Sequence, residues 1–97
     1  MSAAGARHMA RVAALGCCVC RNLGYPDSPA QVHHIREGQG AGQRAADFLT
    51  IPLCPQHHLQ GGEGIAFHAG QRQFEALYGS ELDLLAQTIR ELCDGRP

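Results

Sequence analysis

The sequence predicts a small α+β fold: a strand, a loop, a second strand and a helix at the centre, with one short helix before them and two after. Three observations carry this prediction. Glycine and proline divide the chain into short segments, β-branched residues gather into two short runs in the middle third, and apolar residues recur at helical spacing in the last third. At 97 residues the chain has room for a single domain, read as 1–97 with a core of about 8–93 and short flexible termini. A chain this short buries only about 60–65% of the surface its unfolded form exposes. Three Phe, two Tyr and no Trp add little bulk, so a covalent or metal staple is expected.

Residues 8–15 are Ala-rich and place Met9, Val12 and Leu15 near one face before Gly16, which predicts the first helix. Residues 21–30 carry Gly24, Pro26, Asp27, Ser28 and Pro29, a loop in which neither helix nor strand should persist. Gln31-Val32-His33-His34-Ile35 reads as a strand, 37–42 as a glycine-rich turn, and Leu49-Thr50-Ile51-Pro52-Leu53 as the returning strand. Pro52 confines that strand to an edge or end position, because proline donates nothing to a ladder. Pro55 suits the first turn of a helix that Gly61-Gly62 would end. Gln71 to Tyr78 puts Phe74, Leu77 and Tyr78 on one face and stops at Gly79. Ser80, with Asp83 at the third position, opens the last helix, whose Leu82, Leu85, Ile89 and Leu92 form a stripe expected to cover the core. The tail from Asp94 to Pro97 is expected to fray.

Five cysteines, three of them within four positions, do not suit a disulfide framework, and no secretory leader or membrane span is legible. The expected setting is the cytoplasm, with reduced thiols. Net charge is −1 with neutral histidines, and every one of the eight basic residues is Arg. That balance argues against a protein that coats nucleic acid non-specifically. It permits one that grips a single phosphate through a metal.

Cys17-x-x-Cys20 and Cys54-x-x-His57 are two knuckles, each able to give two ligands to a tetrahedral ion, which points to a structural Zn²⁺. Cys18 and Cys93 are left as packing residues, and a redox dithiol lacks its usual βαβ setting. His33-His34 and His58 lie outside that set of ligands. Neighbours on a strand face opposite ways, so the pair should divide its labour: one histidine meets His58 at a divalent cation with open positions, and the other stays neutral as a general base.

Cys17-x-x-Cys20, Val32-His33-His34-Ile35 and Ile51-Pro52-Leu53-Cys54-Pro55-x-His57-His58 together resemble the HNH (ββα-metal) endonucleases. With His8-Met9-Ala10-Arg11-Val12, 38–44 and Gly64-Ile65-Ala66-Phe67-His68, the chain is most similar to the Ref-type, RecA-dependent nucleases of phages and prophages, from about His8 to Leu92. The resemblance implies an endodeoxyribonuclease in which His33 and His58 hold the catalytic metal, Mg²⁺ or Mn²⁺, and His34 is the base. His68 would complete the site or contact phosphate. The family's Asn is missing before the second strand's Leu-Cys, and Asp47 or Thr50 stands in for it. Arg36 and Arg44 are candidate phosphate contacts, or else solvated surface charge. DNA is the implied substrate, and a RecA filament is a candidate partner. The rival reading is a non-catalytic zinc module that binds DNA or a protein.

Overall fold

The computed structural model describes residues 2–62 and 65–95. Arg96 and Pro97, at the end of the tail expected to fray, lie outside the described residues, as does Gly64 of the Gly64–His68 motif. The elements run α1 (Ala3–Ala14), α2 (Cys18–Asn22), β1 (Gln31–His34), β2 (Thr50–Leu53), a π-helical turn (Gln56–Gln60), a 3₁₀ turn (Phe67–Ala69), α3 (Gln71–Tyr78) and α4 (Glu81–Cys93). The strand–strand–helix order matches the sequence reading. So do the two C-terminal helices.

α1 begins five residues earlier than its Ala-rich stretch suggested, because Ser2 caps it: the Ser2 hydroxyl accepts the amide of Gly5 at 2.9 Å. α2 was not foreseen, and it carries helix through Arg21 and Asn22 where loop alone was expected. Cys17 caps it, its sulfur accepting the Cys20 amide at 3.4 Å. The turn thereby sets the spacing of the first knuckle.

β1 and β2 pair antiparallel with Val32 opposite Pro52 and His33 opposite Ile51. The Ile35 amide donates to the Leu49 carbonyl at 3.1 Å, so pairs 35/49 and 33/51 are the hydrogen-bonded ones and the Val32–Pro52 pair is not. Pro52 therefore sits where its missing N–H is not needed. In a two-stranded sheet both strands are edges, as its proline required.

His33, Ile35, Ile51 and Leu53 share one face of the sheet. Of these Ile35, Ile51 and Leu53 belong to the main core, with Cys17, Cys18, Val19, Phe67, Phe74, Leu84 and Leu85. Val32, on the other face, packs on a smaller cluster of Val12, Leu15 and Leu92 between α1 and α4. Ion pairing ties α2 to α4, with Arg21 donating to Glu91 at 2.7 Å.

Several expectations about faces are corrected. Leu82 and Ile89 are exposed, and the buried face of α4 is Glu81, Leu84, Leu85, Thr88, Glu91 and Leu92. The helix turns its polar residues inward because each finds a partner there: Glu81 meets His33, Glu91 meets Arg21, and the Thr88 hydroxyl donates to the Leu84 carbonyl at 2.8 Å. On α3, Phe74 is buried and Tyr78 packs on the core, but Leu77 is exposed. Cys18 is a packing residue as expected. Cys93 is not, since it lies exposed on the last turn of α4.

Candidate metal centres and the histidine pair

α2, the end of β2 and the π-helical turn converge on Cys17, Cys20, Cys54 and His57. His57 Nδ1 lies 3.6, 3.5 and 3.2 Å from the sulfurs of Cys17, Cys20 and Cys54, and the Cys20 and Cys54 sulfurs are 3.7 Å apart. Ligands held tetrahedrally by Zn²⁺ at its usual bond lengths would stand about 3.8 Å apart for S–S and about 3.6 Å for S–N. The donor set fits that ion in type and in spacing. Burial pushes the Cys17 thiol up to about 12, so without a cation it stays protonated. Burial lowers His57, which keeps its imidazole neutral and able to donate a lone pair. Cys18, pushed up to about 12 by burial, stands outside the cluster.

The π-helical turn also separates the duties of two neighbours. Its Gly61 amide reaches back to the Gln56 carbonyl at 2.9 Å, a five-residue step, while His58 donates to Cys54 in the tighter α manner, also at 2.9 Å. His57 faces the cysteines. His58 points into a second cluster with His33 and His68, whose ring centroids are 4.7–5.2 Å apart.

In this second cluster two of the three rings have one nitrogen engaged outside the triad. His33 Nε2 is 2.6 Å from Glu81 Oε2, and His58 Nδ1 is 2.9 Å from the Gln31 side-chain oxygen. His58 Nε2 and His68 Nε2 face each other at 3.0 Å, a distance two lone pairs tolerate only with a proton or a cation between them. Burial, then the neighbouring His33 and His68, lowers His58 to about 4. Burial and His33 also lower His68, so both rings favour the neutral form that binds metal. The structure thus brings His68 to His33 and His58, and among the described residues this group contains no carboxylate.

His34 lies on the other face of β1. Its Nε2 is 2.9 Å from Asp47 Oδ1 and 3.0 Å from an Arg44 nitrogen. One ring nitrogen cannot both donate to Asp47 and accept from Arg44. Nε2–H donates to the carboxylate, and Arg44, 3.8 Å from the same oxygen, adds its charge to the pair. The bond from His34 chiefly holds the Asp47 carboxyl below its ordinary value. With Nε2 committed, Nδ1 keeps a free lone pair.

Of the two stand-ins for the missing Asn, Asp47 touches His34, whereas Thr50 is buried and donates its hydroxyl to the Asp47 carbonyl at 3.0 Å. α1 makes room for Asp47 at Gly5, where an added Cβ would come within 2.7 Å of Asp47 Oδ2. Arg36 is engaged: its guanidinium donates to the Gln43 and Gly40 carbonyls at 2.5 and 3.2 Å, closing the glycine-rich loop. Arg44 is exposed and borders a cavity of about 340 Å³ with Ala45, Ala46 and Asp47.

Sequence reasoning missed Glu81 and Gln31. Glu81 reads as an ordinary first-turn acid after Ser80, and Gln31 as the polar start of a strand. Neither carries a local signal of what it touches.

The sequence model of the family described as "Recombination enhancement, RecA-dependent nuclease" matches residues 2–93. This chain belongs to that family. The match spans both clusters, the His34–Asp47 pair and Glu81. A relative in Escherichia coli strain K12, described as "Uncharacterized protein YdfU", is 39% identical over 75 residues, 74% of this chain. The chain spans 18% of that relative's length. Among the described residues no helix of this RecA-dependent nuclease family member is long and apolar enough to cross a membrane.

Proposed function

We propose that this chain is a metal-dependent DNA endonuclease of the HNH (ββα-metal) kind, a single domain over 1–97 that hydrolyses phosphodiester bonds and works with a RecA filament. The observation that carries the reading is the division of two adjacent histidines, with His33 turned toward His58 and His68 and His34 turned to Asp47. The family's description, which names a RecA-dependent nuclease, supports the substrate and the partner.

In this mechanism His34 takes the proton of the attacking water at Nδ1, and Asp47 holds the ring in the required tautomer and offsets the imidazolium charge that forms. A divalent cation held by His33, His58 and His68 would supply charge stabilisation to the pentavalent phosphorus and the leaving 3′-oxygen. Of Mg²⁺ and Mn²⁺, the all-imidazole donor set suits Mn²⁺ better, since Mg²⁺ prefers oxygen ligands. Arg44 contacts the phosphate beside the cavity, while Arg36 shapes the loop that presents it. Cys17, Cys20, Cys54 and His57 hold a structural Zn²⁺.

Supercoiled plasmid incubated with the protein tests this, with Mg²⁺, with Mn²⁺ and without metal, each with and without RecA-coated single strand. Metal-dependent nicking or linearisation that His34→Ala abolishes is the expected outcome. Intact plasmid in every arm would sink the nuclease reading and leave the non-catalytic zinc module in its place.

A further inference from the structure

Glu81 is 1% exposed, as is His33, and its carboxylate collects three donors. Oε2 takes the Nε2–H of His33 at 2.6 Å and the Arg36 amide at 2.7 Å; Oε1 takes the amides of Arg36 and Glu37, each at 2.9 Å. A buried carboxylate is costly unless its lone pairs are matched in this way. Burial works to raise its pKa, but the bonds from His33 and the two amides outweigh burial and hold it below the ordinary value. Helix capping does not explain its inward placement, because the Ser80 hydroxyl already accepts the Asp83 amide at 3.1 Å. What the carboxylate touches is one histidine of the triad and two amides, of Arg36 and Glu37, near the start of the loop that carries Arg44.

We propose that Glu81 is the positioning residue of the triad: by accepting the Nε2–H of His33 it fixes the tautomer that leaves Nδ1 free for the cation, and it anchors the glycine-rich loop to the same point. This inference rests on the metal reading of the triad given above. A carboxylate behind a metal-binding imidazole both orients the ring and raises its basicity, and losing such a partner weakens metal binding roughly 10–100-fold. Gln31, which accepts from His58 Nδ1, gives the neighbouring ring a weaker, uncharged version of the same support.

Glu81→Gln separates positioning from packing. The variant keeps the shape and an oxygen for the loop amides, but it turns an NH₂ donor toward His33 Nε2. His33 must then offer a lone pair there and carry its proton on Nδ1, the nitrogen the cation needs. The experiment uses protein carrying one Zn²⁺ per chain in the cysteine cluster. Long-range ¹H–¹⁵N NMR of the histidine rings reads the His33 tautomer, and titration with Mn²⁺ reads affinity at the triad. Expected are an Nε2–H tautomer in the wild-type protein and an Nδ1–H tautomer in Glu81→Gln. Mn²⁺ affinity should fall roughly 10–100-fold with zinc content unchanged. If Glu81→Gln fails to fold, the wild-type spectrum decides alone, and an Nδ1–H tautomer there overturns the proposal. Equal Mn²⁺ affinity in the two proteins overturns this inference only. No Mn²⁺ binding by the wild-type protein overturns the metal reading and this inference with it.

Discussion

His34 and Asp47 are joined ring nitrogen to carboxylate at 2.9 Å across the loop that separates the two strands. The bond selects one tautomer of His34 and leaves its other nitrogen free. His34→Ala is therefore expected to cut plasmid cleavage by roughly 10²–10⁴-fold, the usual worth of a general base, with zinc content unchanged and cooperative unfolding retained at slightly lower stability. Asp47→Asn should cost less, because an amide oxygen still accepts the Nε2–H. Equal activity of His34→Ala and wild type in initial-rate assays would remove His34 from the mechanism.

Cys20 lies in the cluster whose spacing matches tetrahedral Zn²⁺. Since zinc ligation in small domains contributes about 10–16 kcal/mol to folding, Cys20→Ala should lose both metal and cooperative unfolding. Elemental analysis with circular dichroism checks this. A folded, zinc-loaded Cys20→Ala protein would contradict the structural role.

Gly5 lets the first turn of α1 lie against Asp47. Gly5→Ala brings a gain of about 1 kcal/mol from helix propensity, set against an overpacking cost of about 1–3 kcal/mol where the new methyl meets the carboxylate. The net expectation is lower stability and, because Asp47 is displaced, a lower cleavage rate. Chemical denaturation and initial rates measure the two separately.

The corrected face of α4 is open to a direct comparison. Leu84→Ala, at a position 2% exposed, should cost about 2–5 kcal/mol, while Leu82→Ala, at one 51% exposed, should stay within about 0.5 kcal/mol. Urea midpoints of the two variants decide between this face and the stripe through Leu82.

Asp47 and Glu81 both have carboxyl values lowered from 3.8 and 4.5. Below those values the unfolded chain binds more protons than the folded one, so acid favours unfolding. The stability these two groups contribute is fully present above about pH 5 and drains away as pH falls through the carboxylate range. Denaturation midpoints measured down to pH 3 should decline along that course, and less steeply in Asp47→Asn. A flat profile would contradict the sign.

Much of the candidate site was legible because ligand chemistry imposes spacing. Two knuckles of fixed bite and a strand that turns His33 and His34 apart follow from local geometry, and the structure places these residues accordingly. Partnership between distant residues was not legible. Glu81 and Gln31 look like surface polar residues until the fold brings them to His33 and His58. The same blindness misplaced the face of α4: hydrophobicity selected Leu82 and Ile89, whereas the packed face includes Glu81 and Glu91, which find partners across the sequence, and Thr88, which bonds its own helix. The helix α2 escaped notice because a cysteine cap leaves no usual capping signature.

His57 and His58 are consecutive on one π-helical turn yet serve different clusters. On the metal reading proposed above, one peptide bond ties the two centres together, so loss of zinc from the cysteine cluster would also displace His58 from the triad.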